Sequence, residues 1–175
     1  MRVNKAAQLY LDDIIDRDSV ICFRIYTQHS DQQIKNKTSR RIVPIHPKLI
    51  ELGFLDYTKE LQKRGEERIL PQLFFTNDKG YGQAFSKKFN NKKFKAEWID
   101  LTTLQNEKLL KDFHSFRHTF ASKMSGRVLD SQLNFLMRHE GKSENQKRYI
   151  VQNQKVLLEA IQKMDIAGII FPTLN

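Results

Sequence analysis

Two short apolar runs bracket a polar, basic stretch, and this arrangement restricts the fold more than any other feature. Residues 20–26 read Val-Ile-Cys-Phe-Arg-Ile-Tyr, and residues 41–45 read Arg-Ile-Val-Pro-Ile. Both are short and β-branched, which suits strands. Residues 27–39 between them are polar. The three pieces together predict a β-hairpin with a long basic tip.

Most of the remaining chain is spaced for helices. Residues 3–11 set Val3, Ala6, Ala7, Tyr10 and Leu11 at helical intervals. Asp12 and Asp13 follow, then a loop to Asp18. Pro47 opens a helix, because proline suits a first helical turn, and that helix is expected to run to about Lys63 and stop near Gly65. Residues 69–75 form a short apolar piece interrupted by Pro71, and residues 77–82 are turn-like with two glycines. Residues 85–98 return to helical spacing, with Phe85, Phe89 and Phe94 as anchors. From Ser115 the pattern predicts short helices: one to about Met124, one over 129–137, one around Tyr149 and one over 156–164. The expected class is therefore mainly α with a small antiparallel β-sheet (α+β).

The chain has 175 residues, enough for one domain with a core and too few for two comfortable ones. We take residues 1–175 as that single domain. Twelve phenylalanines predict an aromatic-rich core. The net charge of +10 and pI near 9.7 point to a polyanionic partner, nucleic acid first and an anionic membrane surface second. Cys22 is the single cysteine, so it has no internal disulfide partner, and its apolar neighbours predict that it fills core space. No stretch approaches the roughly 18 apolar residues that span a bilayer, and no signal-peptide pattern opens the chain. These features predict a cytoplasmic protein. No His/Cys/Asp/Glu group has metal-ligand spacing, so neither metal nor cofactor is expected.

The strongest chemical signal is His114-Ser115-Phe116-Arg117, continued by His118-Thr119-Phe120-Ala121. Residues three apart share one helix face, so His114 and Arg117 can reach one ligand together. The arginine fork suits phosphate oxygens, and histidine moves protons near neutral pH. His139 lies 22 residues after Arg117, and Tyr149 ten after that. This order of His-x-x-Arg, His and Tyr resembles the tyrosine recombinases, also called phage integrases. The likeness extends upstream. Arg2 followed by Gln8-Leu9 and Asp13-Ile14 is similar to the family's early arginine stretch. Lys35-Asn36-Lys37-Thr38-Ser39-Arg40-Arg41-Ile42-Val43-Pro44 is similar to its basic hairpin.

The resemblance implies site-specific DNA recombination or integration through a 3′-phosphotyrosine. Tyr149 would be the nucleophile. Arg2 and Arg117 would hold the nonbridging phosphate oxygens, and His139 would hydrogen-bond the phosphate. His114 would assist proton transfer at the tyrosine. The family's catalytic lysine lies on the hairpin; spacing to Pro44 selects Lys35, with Lys37 close behind. His118 would have a structural or supporting role, and His29 and His46 read as loop residues. Double-stranded DNA would be the partner, with Lys37, Arg40, Arg41 and the lysines of the 87–95 stretch (Lys87, Lys88, Lys92 and Lys93) against its phosphates. The resemblance also implies a tetramer on DNA and a monomer or weak oligomer without it, in a prokaryotic cell. Residues 152–175 would then dock on a neighbouring protomer or pack on their own core.

Three features depart from the family pattern. The sequence opens at the arginine stretch, without the DNA-clamping domain and first catalytic-domain helices, so an N-terminally truncated fragment is expected. Lys5 stands where an acid is usual. Arg138 precedes His139 where glycine is usual. A DNA-binding module that has lost catalysis is the alternative these departures raise, and an unrelated basic helical protein is a third reading.

Overall fold

The computed structural model describes residues 3–33, 40–77, 80–91, 114–137 and 153–166. Its first helix, α1, covers Val3–Ala7, shorter than the spacing suggests. A single 3-10 turn over Leu11–Asp13 follows, and strand β1 then covers Ile14–Arg17. That strand corrects the loop expected before Asp18. Asp18 and Ser19 alone form the turn to β2, Val20–Ile25, with φ of 58° and 61°. Two consecutive positive φ values make the primed turn whose twist matches a hairpin. Aspartate tolerates this conformation, and Asp16 Oδ1 accepts the Ser19 N–H at 3.1 Å. The sequence lacks the Asn-Gly signal of such turns, which is why β1 escapes the pattern.

Strand β3, Arg41–Pro44, completes an antiparallel sheet of order β1-β2-β3. Ile14 pairs with Phe23, Ile15 with Cys22, Cys22 with Pro44 and Phe23 with Val43. The expected hairpin is thus the β2–β3 pair. Pro44 lies on an edge strand, where its missing N–H costs no ladder bond.

Pro47 opens helix α2, Pro47–Glu51. His46, read as a loop residue, caps this helix: its Nδ1 accepts the Lys48 N–H at 3.1 Å. The expected single helix to Lys63 is broken at Gly53, whose φ of 87° is left-handed, and resumes as α3, Phe54–Lys63. Helix α4 covers Gly82–Asn90, starting ahead of Phe85. Its opening is tied to α1: Asn4 Oδ1 accepts the Gly82 N–H at 2.8 Å. A Cβ on Gly82 would meet the Asn4 backbone at 2.9 Å, so the approach needs glycine. Helices α5 (Ser115–Met124) and α6 (Asp130–Met137) match their expected spans closely, and α7 covers Gln154–Gln162. The expected helix around Tyr149, Phe94 and the end of the 85–98 helix lie outside the described residues.

Successive strand residues face opposite sides, and here both sides are covered. Ile14 and Phe23 pack on Leu9, Leu11, Leu61 and Ile69, with Phe54 edge-on to Phe23. Ile15 and Cys22 pack with Val20, Ile42 and Leu158 of α7. Cys22 is fully buried, as its neighbours suggest, and burial raises its thiol to about 11. Leu157, Ala160 and Ile161 of α7 pack with Leu136 of α6, so α7 folds back on its own core. Of the two expectations for the tail, own-core packing holds through α7; residues 167–175 lie outside the described set. Among the described residues, no helix is long and apolar enough to cross a membrane.

Candidate active site

His114 and Arg117 lie at the start of α5, one helical turn apart. The Arg117 N–H donates to the His114 carbonyl at 2.9 Å. His114 is exposed, and its ring meets the His118 ring edge-on at 5.1 Å between centroids. His118 is exposed beside it and extends the same histidine surface.

Arg117 is half-buried, and its Nη2 donates to the backbone carbonyl of Met137, the last residue of α6. The bond takes one of its five N–H donors and sets the plane in which the rest lie. It also joins α5 to α6, through residues 20 apart in the chain. That is geometry spacing alone could not supply.

Helix α5 is tied to α4 by the Phe89 and Phe116 rings, 5.7 Å apart. Helix α4 in turn rests on α1 through Asn4 and Gly82, and α1 begins one residue after Arg2. A continuous set of contacts therefore joins the segment after Arg2 to the helix bearing Arg117. Exposed Lys87 stands on α4 between them. Lys5 lies in the last turn of α1.

Arg40 is exposed, with its guanidinium 5.9 Å from the centroid of the Tyr26 ring, a cation–π distance. Arg41 is different. It is only 8% exposed and lines a cavity of about 480 Å³ together with Arg117, His46 and Lys48. The rest of that wall is mostly apolar, including Val43, Phe120, Leu136 and Ile161. The sequence does not separate the two neighbouring arginines; the structure does, leaving Arg40 exposed just before β3 and burying Arg41 as its first residue. Arg2, Lys35, Lys37, Lys92, Lys93, His139 and Tyr149 lie outside the described residues, as does the side chain of Lys88.

A second polar centre escaped the sequence reading. Asp13 is fully buried; its carboxylate accepts the Tyr10 N–H at 3.0 Å and the Gln32 side-chain amide at 2.7 Å. Burial pushes its pKa up, against those two bonds. Nearby, Tyr10 and Tyr81 both donate their hydroxyls to Asp31 Oδ2. Burial alone would raise the Asp31 pKa, but the two hydroxyls outweigh it and hold it below the usual range. Both tyrosines shift up, first through burial and then through Asp31. His29 stacks on Tyr10 at 3.6 Å and reaches Asp12 at 3.1 Å, so it too is more than a loop residue. The polar letters of residues 28–33 hide this centre, because solvated loops use the same residue types.

The family model described as the phage integrase family matches residues 1–155. That match covers most of the chain, and the protein belongs to this family. Membership implies DNA binding and site-specific recombination as its field of action. A search of the curated proteins found no match, and neither did a search of the solved structures.

Proposed function

We propose that residues 1–175 form the catalytic domain of a tyrosine recombinase with that family's catalytic core fold. It would break and rejoin DNA through a covalent bond between Tyr149 and a 3′-phosphate. The observation that carries this reading is Arg117 bonded to the Met137 carbonyl of α6, one helical turn from exposed His114. The net charge of +10 supports DNA as substrate.

The reaction needs charge held and protons moved. Tyr149 Oη attacks phosphorus as His114 assists removal of its proton. Arg2 and Arg117 stabilise the charge that grows on the nonbridging oxygens, and His139 hydrogen-bonds the phosphate. Lys35 gives a proton to the departing 5′-oxygen, with Lys37 as the other candidate. The phosphotyrosine conserves the energy of the broken ester, so a 5′-hydroxyl can reverse the step.

Covalent trapping tests this. The chain is incubated with pooled nicked duplexes from its genome and run on a denaturing gel. A protein–DNA band that disappears in Tyr149→Phe supports the reading. No band from the wild type, with one from Lys5→Glu, would instead identify the alternative, a fold that binds DNA after its site decayed. No band from either would remove the reading for this chain.

A further inference from the structure

The cavity lined by Arg41 and Arg117 lies between the sheet and helices α2, α5, α6 and α7. Ile25 and Val43 of the sheet, Phe120 of α5, Leu136 of α6 and Ile161 of α7 contribute to its apolar wall. Its volume is about 480 Å³. Small-molecule sites span roughly 300–1,000 Å³, and they too are mostly apolar with a few placed polar groups.

The charged part of this wall has one sign. Arg41, His46, Lys48 and Arg117 line the cavity, and among its described lining residues there is no Asp or Glu. Lys48 is ion-paired with Glu51 at 2.7 Å, and Arg117 is bonded to Met137. Arg41 is only 8% exposed, so its charge acts through apolar surroundings that screen it poorly. His46 adds a donor. Its Nδ1 accepts the Lys48 N–H, which puts the proton of the neutral ring on Nε2. That Nε2 is buried and has no hydrogen-bond partner among the described residues. A buried donor left in this way is costly, and an acceptor inside the cavity would relieve the cost. A DNA strand is a poor occupant, because its successive charges would have to leave water for a hydrocarbon wall. One terminal anion on an apolar body suits the wall far better.

We infer that this cavity is a binding site for a carboxylate of the fatty-acid kind. The acyl chain lies along the apolar wall. The carboxylate is met by Arg41, with the His46 Nε2–H as a further donor. The site stands on the cavity alone and does not require that the chain cleave DNA.

The test is calorimetric titration of the full chain with hexanoate, octanoate and decanoate, each below its micelle concentration, and with 1-octanol. The carboxylates should saturate a single site, and affinity should rise about tenfold for every two added methylenes. Octanol should bind at least about tenfold more weakly than octanoate, the scale of a lost hydrogen bond to a charged group. Arg41→Gln should weaken octanoate by a similar factor. Arg40→Gln removes the same charge from the exposed neighbour and should bind octanoate as the wild type does. His46→Asn keeps a helix cap but loses the Nε2 donor. It should weaken octanoate too, and it carries the test if Arg41→Gln does not fold. Absence of binding at every chain length overturns the inference, and so does equal binding of octanol and octanoate. Equal affinities in Arg40→Gln and Arg41→Gln overturn it as well, since net positive charge would then account for the attraction. Where only His46→Asn folds, wild-type affinity in that variant has the same consequence.

Discussion

The Arg117 guanidinium donates to the carbonyl of Met137, joining the first turn of α5 to the last residue of α6. The bond fixes the orientation of a planar cation that a phosphate could share.

Arg117→Lys should therefore be a severe change despite keeping the charge. An ammonium on a flexible stem cannot hold the carbonyl and clamp two oxygens in one plane. We expect covalent trapping to fall about a hundredfold or more, the scale of a lost oxyanion donor. Binding of the same duplex should fall far less. Comparable losses in both assays would count against a role at the reacting phosphate.

Helix α7 should be a main support of the sheet. Leu157 is fully buried against Leu136, Ala160 and Ile161. Leu157→Ala should destabilise the chain by about 2–5 kcal/mol through lost burial and a residual cavity. Urea unfolding followed by circular dichroism measures this directly. A loss well under that range would mean the site collapses around the smaller side chain.

The His46 cap predicts a pH dependence. Its Nδ1 must be unprotonated to accept the Lys48 N–H, and burial lowers its pKa from the ordinary 6.5. The unfolded chain then takes up a proton at higher pH than the folded one. Stability from this group is full above 6.5 and declines as pH falls below it. Asp31, also lowered, adds a second loss, which sets in below its ordinary 3.8. In His46→Asn the cap no longer titrates, so the decline below 6.5 should flatten. Urea midpoints at several pH values give the comparison, and an unchanged profile would exclude the histidine.

The two adjacent arginines should separate experimentally. Arg40 and Lys87 are exposed, and on the proposed DNA-binding role Arg40→Gln and Lys87→Gln should each reduce the salt dependence of DNA binding by about one ion. Both variants should keep the wild-type melting temperature. Arg41 is buried on the cavity wall, so Arg41→Gln should lower the melting temperature as well. Melting curves beside salt titrations decide it; identical behaviour of Arg40→Gln and Arg41→Gln would contradict this placement.

Much of the fold is legible in residue order. The strands at 20–26 and 41–45 and the helices at 115–124 and 129–137 appear near their expected places, because apolar spacing records which face must be buried. Strand β1 was not legible, since its turn uses Asp18-Ser19 and its residues alternate weakly. The break at Gly53 was missed because a helical pattern continues on both sides of it.

For the site, residue order alone carries the residue types: a His-x-x-Arg at a helix start, a basic stretch between two strands and a +10 chain. Local spacing suffices there, since one helical turn puts His114 and Arg117 on one face. Packing settles that Arg117 meets Met137, that Arg41 is buried while Arg40 is exposed, and that Gln32 locks onto Gln8 and Asp13. Those relationships join residues distant along the chain. They depend on which faces pack together, and no local pattern carries that information.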